Sequence, residues 1–271
     1  MQPPLVVKLG GSAITDKSRL CTPKVEVIHR AIDEIATYRK PLILLHGGGS
    51  FAHPFITRAM INNRFRGRSE QSRVSEIELN LDQLTRILGV ALQLRQRAFV
   101  PMLPMSFLTL MKGEVRRHFL HPVNVALDSG LIPLIHGDLA MDERGGCGII
   151  SADRIASLLG KELGVSRVLF GCDVEGVYTG DPKGSEMAAL IPRVERRNSA
   201  QVLKGLSSSL GDATGGMLGK VREALRLAKG GYESYIFKLD GKLNLRELLN
   251  GSVSIGTRFV PWRQLTQTKP S

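Results

Sequence analysis

Residues 42–54 read LILLHGGGSFAHP, an apolar run that feeds straight into three glycines, a serine and a histidine. Leu42, Ile43, Leu44 and Leu45 lack the alternation of a half-solvated strand, which predicts a parallel strand covered on both faces. Gly47, Gly48 and Gly49 carry no Cβ, so their N–H groups can turn inward to hydrogen-bonding reach of a phosphate. A helix opening near Ser50 would point its positive end at the same anion. Taken alone, a triple glycine is equally well a flexible turn. The rest of the chain favours the anion site by repeating the arrangement.

Upstream, residues 5–9 form a second short apolar run, with Lys8 near its end and Gly10, Gly11 and Ser12 directly after it. A lysine inside an apolar strand must bring its ammonium to water or to an anion. Lys8 is therefore read as a phosphate contact, with snorkelling to the strand end as the alternative. Between the two runs, Thr22-Pro23 predicts an N-cap and first helical position for a helix over 22–39. Downstream, 62–73 reads as a polar, basic connection. A long helix over 74–97 follows, with Ile77, Leu81, Leu84 and Leu88 on its inner face.

Beyond it the pattern predicts a strand over 99–106, a hairpin over 108–119 turning at Lys112-Gly113, and a short helix from His121-Pro122. A buried strand over 131–135 leads into His136-Gly137-Asp138, and 139–142 with 147–150 make a second hairpin. Ser151-Ala152-Asp153 opens a helix to about residue 163, where Asp153 is either a helix-end charge or a site residue. The strand pattern restarts at 166 and reaches Cys172-Asp173 and the turn at 180–182. A helix over 198–206 precedes the loop GDATGGMLG at 211–219, and Lys220 opens another helix. Strands over 235–237 and 257–260 complete the chain. Strands alternating with helices predict an α/β fold, a mainly parallel sheet between two helical layers, with a second lobe starting near 166.

The 271-residue chain is long enough for one large α/β unit or two packed lobes. Its formal charge of +12 favours anionic partners. Aromatics make up only 5% and do not interleave with the basic clusters, which argues against nucleic acid and for a small phosphorylated substrate. Three cysteines without CxxC spacing argue for a reducing compartment and against both a disulfide framework and a zinc site. No segment approaches 18 uninterrupted apolar residues, so a cytoplasmic protein without a membrane partner is expected.

KLGGS, HGGGS and DATGGM each present backbone donors, and Lys8, Lys17 and Lys220 lie close by in sequence. Phosphoryl transfer asks for this equipment, because its transition state spreads negative charge over oxygens and catalysis is mostly positioning and cationic stabilisation. The Walker A, GxGxxG and GxSxG patterns are absent, which removes the common alternatives. At these residues the chain resembles the amino acid kinase family, and within it the isopentenyl phosphate kinases. KLGGSAITDK, HGGGSFAHP, HGDLAMD with ISAD, CDVEGVYTGDP and DATGGMLGK occur in the family's order.

The resemblance implies an open αβα sandwich whose N-terminal lobe, 1–165, holds a phosphate acceptor and whose C-terminal lobe, 166–271, holds ATP. It implies that Lys8, Gly10, Gly11, Ser12 and Gly49 contact the ATP phosphates and that Lys17 stabilises the transferring phosphoryl group. Gly48 and His53 would hold the acceptor's phosphate, with Ala152 beside it. Asp173 would lie at the nucleotide site, Gly216 and Lys220 would close over the phosphates, and Asp153 would orient the lysines. Mg²⁺ is expected through the nucleotide's oxygens, with no protein metal ligand, and a homodimer is expected. Ala52, Ala152 and Ala213 depart from the usual SFGH, SGD and valine, which opens the acceptor preference. Ser151-Ala152-Asp153-Arg154 and DATG also resemble the fosfomycin kinases, and a non-catalytic nucleotide-binding protein of the same fold is a third reading.

Overall fold

The structure, a computed structural model, describes residues 2–56, 68–180, 188–208, 216–239, 244–252 and 255–262. The strands of the first half are β1 (Leu5–Leu9), β2 (Leu42–His46), β3 (Phe99–Met102), β4 (Leu108–Met111), β5 (Glu114–His118), β6 (Ile132–His136), β7 (Asp138–Asp142) and β8 (Cys147–Ile150). Those of the second half are β9 (Arg167–Cys172), β10 (Arg193–Val194), β11 (Ser234–Lys238) and β12 (Thr257–Phe259). The helices are α1 (Gly11–Ile14), α2 (Val25–Thr37), α3 (Arg68–Gln93), α4 (Pro104–Phe107), α5 (His121–Asp128), α6 (Ala152–Glu162), α7 (Ser199–Ser208), α8 (Gly216–Lys229) and α9 (Asn244–Leu249).

Among the described residues, eight strands form one sheet in the order β10-β12-β11-β9-β1-β2-β6-β3. Every neighbouring pair in it is parallel except β11 with β12. The central strands are buried along their length, as their unbroken apolar runs require. Alternate residues feed two cores. Val6, Ile43, Leu45, Val168 and Phe170 pack with Ile155 and Leu159 of α6 and Val221 and Ala224 of α8. Leu5, Val7, Leu42, Leu44 and Leu169 pack on the opposite face with Ile28 and Ile32 of α2, Leu84 and Leu88 of α3, and Leu245 of α9. The molecule is thus a three-layer αβα sandwich. Each such side chain, fully buried, contributes about 1.5–3 kcal/mol against exposure, so the sheet's inner positions dominate its stability.

The chain leaves β1 for β2 on one side and returns to β9 on the other. This reversal makes the carboxyl ends of β1, β2 and β9 the crevice in which open α/β sheets bind ligands.

Several local expectations are revised. Helix α2 begins at Val25, not at Thr22-Pro23, because Pro23 bridges to Thr15 and keeps the chain extended. Residues 68–73 are helical and belong to α3, while 62–67 lie outside the described residues. The strand over 99–106 stops at Met102, and α4 follows with Pro104 in its first turn. Both hairpins form, with Lys112 (φ 54°) and Gly113 (φ 80°) making the first turn. They also join through β4 and β7 into a separate sheet, ordered β5-β4-β7-β8. The DATG part of the loop, Ala213 included, and most of the turn at 180–182 lie outside the described residues. No helix among the described residues is long and apolar enough to cross a membrane.

Candidate active site

Two glycine turns meet at the crevice. Gly10 and Gly11 follow β1, and Gly47 to Gly49 follow β2, its parallel neighbour. A Cβ on Gly11 would overlap the backbone nitrogen of Gly49, and one on Gly47 would come within 2.9 Å of the nitrogen of Gly11. Backbone therefore lies on backbone. Gly49 has a φ of +53°, which strains any L side chain, and the space its Cβ would fill belongs to the Thr15 hydroxyl. That hydroxyl donates to the carbonyl of Gly11 at 2.7 Å and accepts from the N–H of Ser50 at 3.0 Å. Thr15 is fully buried and ties the two turns together. Gly10, in turn, donates its N–H to Gly171 O at the end of β9.

Lys8 reaches the mouth of these turns from inside β1. Its Nζ lies 2.8 Å from Asp153 Oδ1, and Lys220 Nζ lies 2.9 Å from Asp153 Oδ2 and 3.2 Å from Oδ1. All three side chains are nearly inaccessible. Burial drives the pKa of Lys8 down, Asp153 opposes that fall and Lys220 adds to it. For Asp153 burial acts upward, but the two ammonium groups overcome it and hold the carboxyl at about 2. For Lys220 burial acts downward and the attraction of Asp153 prevails, so its pKa is raised. Two cations on one carboxylate leave one positive charge to be matched by an anion.

The elements place these groups by local chemistry. Ser151 caps α6, its side chain accepting from the N–H of Arg154. Asp153 is thereby released from capping and turns to the lysines. Lys220 comes from the second turn of α8, and its Nζ lies 5.9 Å from the ring centre of Phe170 on β9. Ala152 is buried where a Cβ on Gly137 would overlap its nitrogen, so α6 starts hard against the end of β6.

Of the residues singled out from the sequence, Lys8, Gly10, Gly11, Gly48, Gly49, Ala152, Asp153 and Lys220 are buried around this crevice. Ser12 is half-buried, and its carbonyl accepts from Lys24 Nζ at 3.1 Å. Lys17, His53, Asp173 and Gly216 are exposed. The ion pairs among the described residues join none of these four to Asp153. The sequence reading missed Thr15. The signal was a hydroxyl four residues after Gly11, the spacing at which threonine bonds back to a helical carbonyl.

The family model for the amino acid kinase family matches residues 3–238. The chain belongs to the amino acid kinase family. Within it, the chain is 30% identical over 264 residues to the isopentenyl phosphate kinase of Methanothermobacter thermautotrophicus, covering 94% of this chain and 98% of that one. It is 28% identical over 260 residues to the isopentenyl phosphate kinase of Methanocaldococcus jannaschii, covering 92% and 95%. Among solved structures, an isopentenyl phosphate kinase superposes with a TM-score of 0.82 at 27% identity, covering 95% of this chain and all of that one. As an amino acid kinase the chain has its expected αβα architecture.

Proposed function

We propose that this amino acid kinase transfers the terminal phosphoryl group of ATP to isopentenyl phosphate, giving isopentenyl diphosphate. The observation that carries the reading is the buried Lys8–Asp153–Lys220 cluster at the mouth of two interlocked glycine turns. The named relatives, alike over nearly their whole length, support the acceptor. Glycine turns that no Cβ could enter leave N–H groups for phosphate oxygens, so the site fits a nucleotide's phosphate chain. Lys8 and Lys220 approach from elements on either side of the crevice and offer cationic stabilisation where charge builds up in transfer. Asp153 fixes both lysines and opposes the loss of the Lys8 proton. Mg²⁺ would be held mainly through nucleotide oxygens.

An apolar cluster supports a hydrocarbon acceptor over an amino acid. Ala52, Ile77, Leu81 and Leu139 are buried together beside His53, with Phe55 and Met105 partly exposed at the edge. His53 stands next to this cluster and is read as the donor to the acceptor's phosphate. A homodimer is part of the reading, supported by Leu79, Val90 and Leu94, which lie exposed along α3 and just past its end.

The deciding experiment gives the purified protein ATP and Mg²⁺ with isopentenyl phosphate, dimethylallyl phosphate, fosfomycin, UMP or acetylglutamate, and reads ADP release. Isopentenyl phosphate is expected to show the highest kcat/KM, and a tenfold preference for fosfomycin or a carboxylate acceptor overturns the reading. In the same assay His53→Ala is expected to raise the acceptor KM by about ten- to a hundredfold, the worth of one charge-assisted hydrogen bond, and to leave the ATP KM unchanged.

A further inference from the structure

Behind the glycine turns lies a buried polar cluster that phosphoryl transfer does not use. His46 and His136 end the neighbouring strands β2 and β6, are register partners, and have ring centres 6.0 Å apart. Both rings face α3. His46 Nε2 lies 2.9 Å from Thr85 Oγ1, and His136 Nε2 lies 3.5 Å from Glu78 Oε2. Glu78 and Thr85 are two helical turns apart and so share one side of α3.

The protons on this cluster can be counted. The Thr85 hydroxyl donates to the carbonyl of Leu81 at 2.9 Å, so its oxygen accepts from Nε2–H of His46. His46 Nδ1 lies 3.4 Å from the carbonyl oxygen of Gly47, a longer approach, and burial, followed by the neighbouring His136, drives the His46 pKa down to about 3 and keeps that ring neutral. His136 differs. Its Nδ1 faces the carbonyl oxygen of Gly137 at 3.1 Å while its Nε2 faces the Glu78 carboxylate. Both are acceptors, and a neutral imidazole has only one N–H to give. Among the described side chains around the pair, Lys8 of β1 acts on His46 through its charge, and Glu78 acts likewise on Cys147 of β8. The Cys147 thiol is pushed by burial up to about 11 and stays neutral. Glu78 is therefore the described carboxylate that balances a charge on His136.

We propose that His136 is an imidazolium paired with the Glu78 carboxylate, and that this pair makes Glu78 a positioning residue for the acceptor half of the site. The route is short. Ile77 and Leu81, on the same stretch of α3, pack with Ala52, the neighbour of His53. Gly137, next to His136, packs against Ala152 at the start of the helix that carries Asp153. The pair thus pins α3 to the strand end that sets both the HGGGSFAHP segment and α6. The kinetic consequence rests on the acceptor reading proposed above, whereas the proton assignment does not.

The test is ¹⁵N–¹H NMR of the full chain with labelled imidazoles at pH 8, with the His136 signals assigned by their loss in His136→Gln. Both ring nitrogens of His136 are expected to be protonated, and Glu78→Gln is expected to remove one of those protons. The same variant is expected to raise the isopentenyl phosphate KM about tenfold, within the range that a change remote from the ligand transmits through packed side chains. Its ATP KM should stay within twofold, and Glu78→Asp should restore part of the acceptor affinity. A neutral His136 in the wild type at pH 8 overturns the pair, as does an unchanged proton count in Glu78→Gln. An acceptor KM that Glu78→Gln leaves within twofold overturns the positioning role. Should Glu78→Gln fail to fold, the wild-type spectrum and Glu78→Asp still decide. Should isopentenyl phosphate prove the wrong acceptor, the proton count stands or falls on its own.

Discussion

Thr15 shows how much a single hydroxyl can hold. Its oxygen bonds one glycine turn through Gly11 O and the other through Ser50 N–H, and both partners are buried. Thr15→Val keeps the shape but leaves the Ser50 N–H without its acceptor, a loss of about 1–3 kcal/mol. The melting temperature and kcat are expected to fall together, while Thr15→Ser keeps both near wild type; equal damage from valine and serine would show that the methyl group, not the hydroxyl, matters. Asp153 gives a second expectation at this scale. Folding takes its pKa from an ordinary 3.8 to about 2, so its ionised form stabilises the native state fully above about pH 5 and loses that effect as pH falls from there through 2. The gap in urea midpoint between wild type and Asp153→Asn should therefore narrow between about pH 5 and 2.5. A constant gap would show that the carboxylate's charge is not what Asp153 contributes.

Helices α6 and α8 each carry one member of the charged cluster, and a second network fixes their spacing. Arg154 Nη1 lies 3.4 Å from Glu223 Oε2 on α8, and its Nη2 lies 2.9 Å from Glu114 Oε2 on β5. Arg226 reaches Glu223 from one turn further on, at 3.4 Å. Burial raises the pKa of Glu223, and Arg154 and Arg226 restrain it. Exposed pairs such as Arg86 with Asp82 on α3 are worth about 0.5 kcal/mol or less. The Arg154–Glu223 pair is more sheltered, so a double-mutant cycle with Arg154→Met and Glu223→Gln should give a coupling of about 1 kcal/mol. A coupling no larger than that of Arg86 with Asp82 would reduce it to surface decoration. Elements of this kind were unevenly legible. The buried strands β1, β2 and β9 announce themselves as unbroken apolar runs, and Lys8 stands out as the misplaced charge in one of them. The parallel pairing of Thr109 with Met141, which fuses two hairpins into a sheet, joins residues far apart in the chain with no local signal. Thr15 shows only half of its role locally, in the bond back to Gly11, because its second partner lies 35 residues on, and β10 is a two-residue strand defined only by its neighbour.

At the scale of the whole molecule, the sheet runs without a break from β10 to β3, and β1 pairs with strands from both halves of the sequence. Two halves of the sequence that share a central strand cannot melt separately without exposing its buried face. Trp262, the single tryptophan, reports on the second half, its backbone N–H bonded to Ala228 O at 2.8 Å and its ring 5.4 Å from Lys229 Nζ. Urea unfolding followed by Trp262 fluorescence and by far-ultraviolet circular dichroism is expected to give coincident transitions. Two resolved midpoints would mean that the two halves of the sheet unfold independently after all. The interlocked glycine turns also have a consequence for descent. Where backbone rests on backbone there is no side chain for mutation to vary, and every replacement at Gly11 or Gly49 is a collision. That floor is closed to evolutionary tinkering, so lineages that take up a new acceptor are expected to do so along α3, the 51–56 segment and the β5-β4-β7-β8 sheet, while inheriting the two turns unchanged.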